Sequence, residues 1–323
     1  MGAGWPDKKL KIMVTPKTVG PTITGTEKSP QDRRHDLQVV VPVKNEIRKV
    51  EAFDATPVKN KWQNIIVTQN STFKYLRFGR VVFDALDTSY SPIERQLGNE
   101  EALYYINRGN AKITANDKMF ELGKGDVLYV GIQSSIKLQA DESADISEFK
   151  AVECHTKYPE QLVRHTDIEG TELAADLGNK RPMSKRTVFK LVDQNVKACR
   201  LLFGDTYMEN KGGVGSYPPH FHGPDGPHGL GKNAKEEIYH FRCVTDIDND
   251  VPYVLQNCAL PEEKVNTYVH VFDEVAINVT PTYHDTIAPP SVDFMFTWCL
   301  GSFKEGHRDW AEIYNKPGFE NEW

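Results

Sequence analysis

The chain repeats itself, and that repetition constrains its fold more than any other feature. Leu76-Arg-Phe78-Gly79 returns as Leu201-Leu-Phe203-Gly204. Glu101-Ala-Leu-Tyr-Tyr-Ile106 returns as Glu236-Glu-Ile-Tyr-His-Phe241. Gly125-Asp-Val-Leu-Tyr-Val130 returns as Asp273-Glu-Val-Ala-Ile-Asn-Val279, with Val127 to Val130 on Ala276 to Val279. Landmarks recurring in one order mean two tandem copies of a single supersecondary plan. Its runs are short, β-branched or aromatic, and bounded by Gly, Pro, Asn or Asp. They fall at residues 38–43, 65–69, 102–106 and 126–130, then 187–192, 200–207, 237–242, 253–258, 268–272, 275–279 and 292–300. Only 159–164 and 173–177 suggest helix. Many short, evenly spaced strands predict an all-β sandwich or barrel. The expected division is an extended arm over 1–36, a first barrel over 37–175 and a second over 176–323, joined near 170–185 where Gly, Asn and Pro gather. A length of 323 residues also favours two domains.

The second copy carries the chemistry. Pro218-Pro219-His220-Phe221-His222 sets two imidazoles two residues apart. On a strand, alternation points both to one face, and the Pro-Pro pair is expected to start that strand. Glu236 and Glu237 open another strand; if Glu237 faces inward, so do Tyr239 and Phe241. His284 follows the 275–279 strand and a Pro281 turn. Three imidazoles and one carboxylate suit zinc, manganese, iron, nickel or cobalt and do not choose sharply among them. A single histidine ordinarily satisfies a structural hydrogen bond. Here the first copy carries Pro92-Ile93-Glu94 in place of Pro218 to His222, Ala102 in place of Glu237 and Ser135 in place of His284. The ligand types vanish together in one copy, so a metal-binding barrel beside a degenerate, metal-free one is expected.

H-x-H, a later Glu and a distant His on a small barrel resemble the cupin pattern, and two copies make a bicupin. Tyr217-Pro-Pro-His-Phe-His222 followed by Glu236-Glu-Ile-Tyr-His-Phe-Arg242 resembles the 5-deoxyglucuronate isomerases. These share a superfamily with the 5-dehydro-4-deoxyglucuronate (4-deoxy-L-threo-5-hexosulose-uronate) ketol-isomerases. His284-Asp-Thr-Ile-Ala-Pro-Pro290 and Phe294-Met-Phe-Thr-Trp298 are similar to that superfamily too. The likeness spans roughly residues 200 to 310. It implies metal ligation by His220, His222, Glu237 and His284, usually of zinc. The chain departs from it by its greater length and by its own segment, residues 223–235, between His222 and Glu236.

Glycines and prolines make residues 223–235 a loop that can roof the barrel mouth, with His228 and Lys232 as candidate substrate contacts or simply solvated side chains. Arg200 and Arg242 are candidates for holding a carboxylate, although strand parity turns Arg242 away from Glu237. Tyr239 is the better candidate for a cavity hydrogen bond. Glu236, His228 and His240 are candidate bases. The leading expectation is aldose–ketose isomerisation of a uronic acid or related acidic sugar, with the metal stabilising an enediolate. A metal-dependent dioxygenase and a non-catalytic sugar-binding bicupin are the alternatives, because one fold hosts many chemistries.

The remaining composition narrows the partners. With a net charge of −6, and Arg33, Arg34 and His35 followed at once by Asp36, no basic patch offers itself to nucleic acid. No stretch approaches the roughly 18 apolar residues of a membrane helix. The first ten residues lack the apolar core of a secretory signal. Five scattered cysteines without a C-x-x-C pair suit buried free thiols in a reducing cytoplasm. A homo-oligomer is expected, with the arm packed on a neighbour.

Overall fold

The computed structural model describes residues 34–35, 40–43, 46–49, 51–84, 91–223, 234–259, 267–279, 282–310 and 312–319. It is built almost wholly from antiparallel strands. In the first copy a six-stranded sheet, in the order Gln161–Val163, Val127–Val130, Glu101–Arg108, Ala144–Ala151, Leu76–Phe83 and Gln63–Ile66, faces a four-stranded one of Lys118–Leu122, Ala111–Ala115, Ser135–Gln139 and Ile93–Gln96. In the second, an eight-stranded sheet runs Arg34–His35, Ala52–Asp54, Val275–Asn278, Lys235–Thr245, Val292–Ser302, Leu201–Met208, Arg186–Val192 and Ala174–Leu177. It faces a five-stranded sheet of Thr267–Phe272, Tyr253–Ala259, Tyr283–Ala288, Gly213–His222 and Ile313–Asn315. Val40–Val43 and Glu46–Lys49 make a separate hairpin.

Apolar residues collect in three main places. One cluster fills the first barrel, among it Val81, Phe83, Ala102, Tyr104 and Leu138. Another, including Leu202, Met208, Tyr239, Phe296 and Trp298, fills the second. The third lies between the barrels, where Phe53, Phe78, Phe149, Phe203 and Ile238 meet. Both large sheets are therefore buried on both faces, which explains why Leu76–Phe83 is buried at every position instead of alternating. Each large side chain removed from water there contributes about 1.5–3 kcal/mol.

The repeated Leu-x-Phe-Gly motif has a packing cause. A Cβ on Gly79 would stand 2.4 Å from Trp62 Cζ2, and one on Gly204 would stand 2.3 Å from Trp298 Cζ2. Each copy lays an indole across its glycine.

A second repeated feature links the barrels. The Glu101 carboxylate accepts the backbone N–H groups of Cys199, Arg200 and Leu201 at 2.6–2.9 Å. The Glu236 carboxylate accepts those of Lys74, Tyr75 and Leu76. Each glutamate thus holds the start of the other barrel's strand.

Several expectations need correction. Residues 159–164 and 173–177 are extended: Gln161–Val163 pairs with Val127–Val130, and Ala174–Leu177 with Arg186–Val192. Unpaired sheet edges supply the hydrogen bonds that a helix would have supplied. Ala52–Asp54, numbered with the first copy, pairs with Val275–Asn278 of the second. The prolines do not start their strand. Gly213–His222 runs through them, with a register break between Gly215 and His220 and a left-handed Ser216 (φ 55°). A bulge admits proline because the ladder is already interrupted there. The expected arm over 1–36 lies, apart from Arg34–His35, outside the described residues.

Candidate metal centre

The site forms where three strands of the second barrel meet on their inner faces. His220 and His284 are directly opposed across one strand pair, and Cys258 opposes His284 on its other side. His222 follows two residues after His220. Glu237 enters from the facing sheet, opposite Leu300. All four are at most 6% exposed. One imidazole nitrogen from each histidine lies within 4.8 Å of the others. Glu237 Oε2 stands 3.1 Å from His284 Nε2 and 3.6 Å from His222 Nε2.

Backbone carbonyls orient two of the rings. His220 Nδ1 lies 2.9 Å from the Pro218 carbonyl and His284 Nδ1 3.2 Å from that of Thr282. A carbonyl only accepts, so both hydrogens sit on Nδ1 and both Nε2 lone pairs point into the cavity, as metal ligation requires. Burial pushes His220 down to about 3, His284 to about 4 and His222 well below the imidazole range. It raises the Glu237 carboxyl to about 8. The close His284–Glu237 approach is thus not an ion pair, because desolvation keeps the imidazole neutral. His222 Nδ1 and His284 Nε2 are buried without a hydrogen bond. Neutral imidazoles beside a carboxyl group that a bound cation would ionise, with a buried His284 Nε2 lone pair to satisfy, fit a divalent cation.

Tyr239 lies inside the same barrel. Its hydroxyl is 2.8 Å from Ser216 Oγ, and its ring stands edge-on to His284 at 5.4 Å. The other candidates go elsewhere. Glu236, taken as a possible base, faces the first barrel, and its three backbone donors bar it from the cavity. His240 packs on Phe78 and lies 3.3 Å from Glu274. Arg200 donates to the carbonyls of Glu153, Ser302 and Phe303. Arg242, like His240 and Ile238, is on the strand face turned from Glu237. His228 and Lys232 lie outside the described residues, as does most of the proposed lid.

In the first barrel, Ala102 belongs to the interior cluster. Ser135 and Glu94 instead point to solvent, and Ile136 and Leu138 are the inward positions of that strand. Ser135 thus does not share the inward face that His284 occupies in the second barrel, since neighbouring positions on a strand face opposite ways. Glu101, Cys154 and Cys199 also come within metal-ligating distance of one another. The Glu101 oxygens already hold three backbone N–H groups and the Tyr129 hydroxyl. A hydrogen bond from Cys154, then burial, raises the Cys199 thiol far above its usual range. All five cysteines are buried and free of disulfides.

Two antiparallel barrels in tandem, one carrying an inward His-x-His, Glu and His set, define a two-barrel cupin. The chain belongs to the KduI/IolB family, whose model matches residues 59–321. It is 25% identical over 213 residues to a 4-deoxy-L-threo-5-hexosulose-uronate ketol-isomerase of Caldicellulosiruptor bescii, covering 64% of this chain and 70% of that one. A protein of the same name from Lacticaseibacillus paracasei is 20% identical over 280 residues, covering 82% of this chain and 92% of that one. Among solved structures, an IolB-like protein from Salmonella typhimurium LT2 superposes with a TM-score of 0.68 at 17% identity, over 83% of this chain and 97% of the other. Among the described residues no helix is long and apolar enough to cross a membrane.

Proposed function

We propose that the chain is a metal-dependent aldose–ketose isomerase acting on a uronic acid or a related acidic sugar. The observation that carries this reading is the convergence of His220, His222, His284 and Glu237 inside one barrel of a chain whose relatives are named as uronate ketol-isomerases. These four side chains would hold a divalent ion: zinc by family resemblance, with manganese, iron and nickel as the other candidates. When bound, such an ion supplies Lewis-acid stabilisation to negative charge developing on adjacent substrate oxygens.

The protein supplies the rest. The two backbone carbonyls fix the rings of His220 and His284, so no reorganisation is needed during turnover. Glu237 contributes the one carboxylate in the set. The Tyr239 phenol, steadied by Ser216, can hand a hydrogen bond to a substrate oxygen as the carbonyl moves between neighbouring carbons. The apolar wall of Phe241, Phe296 and Trp298 excludes water from the enediolate. Five buried free thiols suit a reducing compartment such as the cytoplasm.

Elemental analysis of the purified protein should give one divalent ion per chain. Incubation with candidate uronates in D2O should then place deuterium on the carbon next to the carbonyl. Chelation should abolish the exchange and added zinc or manganese restore it, without oxygen uptake. Turnover surviving in the His220→Ala, His222→Ala double variant, or requiring oxygen, would refute the reading.

A further inference from the structure

Within the second barrel lies an arginine that no motif or spacing singles out. Arg186 opens the strand Arg186–Val192, directly opposite Leu177 on one side and Met208 on the other. Met208 belongs to the interior cluster of this barrel and Leu177 packs against it. Directly opposed residues of an antiparallel pair share a face, so the Arg186 side chain points inward as well. Only 3% of the residue is exposed.

Its surroundings tie it to the site. Met208, which stands opposite Arg186, shares the interior cluster with Tyr239, and its Sδ lies 3.2 Å from where a Cβ on Gly215, the neighbour of Ser216, would stand. Tyr239 in turn reaches Ser216 at 2.8 Å and stands against His284. Nη1 donates to the Ser184 carbonyl at 2.8 Å. Burial lowers the guanidinium to about 10, which still leaves it cationic at neutral pH. Interior arginines are rare because desolvation is expensive, and a planar fork is suited to binding carboxylates. A six-carbon sugar acid needs two separate grips: the reacting carbonyl and hydroxyl at one end, the carboxylate at the other.

We infer that Arg186, together with the Tyr239–Ser216 hydroxyl pair of the same barrel interior, forms the carboxylate-binding end of the sugar pocket and selects acidic over neutral sugars. This rests on the isomerase reading and deepens it by assigning the residue that sets substrate class. The metal ligands hold the reacting end, and Arg186 holds the other.

The test uses the metal-replete protein and two probes, D-galacturonate and D-galactose, with affinities read by calorimetric titration. Wild-type protein should favour the acid by about 30-fold or more, in keeping with the loss when a buried charge is left without its counterpart. Arg186→Met, similar in length and apolar, should erase that preference while metal content stays at the wild-type level. Arg186→Lys, which keeps the charge and guards against misfolding, should retain part of it. An acid preference that survives in metal-replete Arg186→Met overturns the assignment. So does wild-type protein that does not favour the acid, even if deuterium exchange shows it to be an isomerase; the isomerase reading falls separately, on absence of that exchange.

Discussion

Adjacent glutamates, Glu236 and Glu237, do unrelated work because a strand turns successive side chains to opposite faces. Glu237 meets the imidazoles, whereas Glu236 ties down a backbone 162 residues earlier in the chain. Their neutral variants should separate cleanly. Glu237→Gln should weaken metal binding by about 100-fold or more, since even groups that merely support a ligand commonly cost 10–100-fold. Glu236→Gln should leave metal content intact and lower stability by about 1–3 kcal/mol, the scale for a hydrogen-bonded buried charge. Elemental analysis beside denaturant unfolding of both proteins checks the pair; the reverse ranking would mean a strand register shifted by one. Alternation made the choice of Glu237 legible in the sequence. The partners of Glu236 were not legible, because nothing local to residue 236 names residues 74–76. Arg186 was missed for a similar reason: one arginine at the head of a strand carries no spacing signal.

Among the elements, Ala52–Asp54 is the most informative. It extends the large sheet of the second barrel although it precedes the first, and Phe53 is fully buried between the barrels. Phe53→Ala should cost about 3–5 kcal/mol, as deep Phe-to-Ala truncations do. Urea unfolding should show the loss, and a change below about 1 kcal/mol would mean that this strand is dispensable. The same crossing explains why a domain boundary drawn by composition misses it. A three-residue strand has no periodicity to read, and its sheet partner lies more than 200 residues away in sequence. Residues 159–164 and 173–177 misled for the complementary reason: weak helical spacing was overruled by open sheet edges.

At the scale of the whole molecule, the inter-barrel cluster and the reciprocal glutamates make the two copies one mechanical unit. Unfolding should therefore be a single transition, although the proposed metal ligands all lie in the second barrel. A metal that binds only the folded form should move that one transition upward, by about 2.7 kcal/mol when its free concentration is 100 times its dissociation constant. Calorimetric scans of stripped and reloaded protein decide this. Two transitions, of which only one responds to metal, would show that the barrels unfold independently.

The sequence by itself determined the all-β architecture, its duplication and the candidate ligands, because those depend on alternation and repetition that residues a few positions apart carry between them. The tertiary structure alone decided that Glu236 clasps the other barrel, that Ser135 points to solvent, and that Arg186 faces the interior of the second barrel. Each of these depends on register and on partners brought from distant parts of the chain. A shift of one residue reverses a strand's face, and local patterns in the first copy were too weak to exclude it.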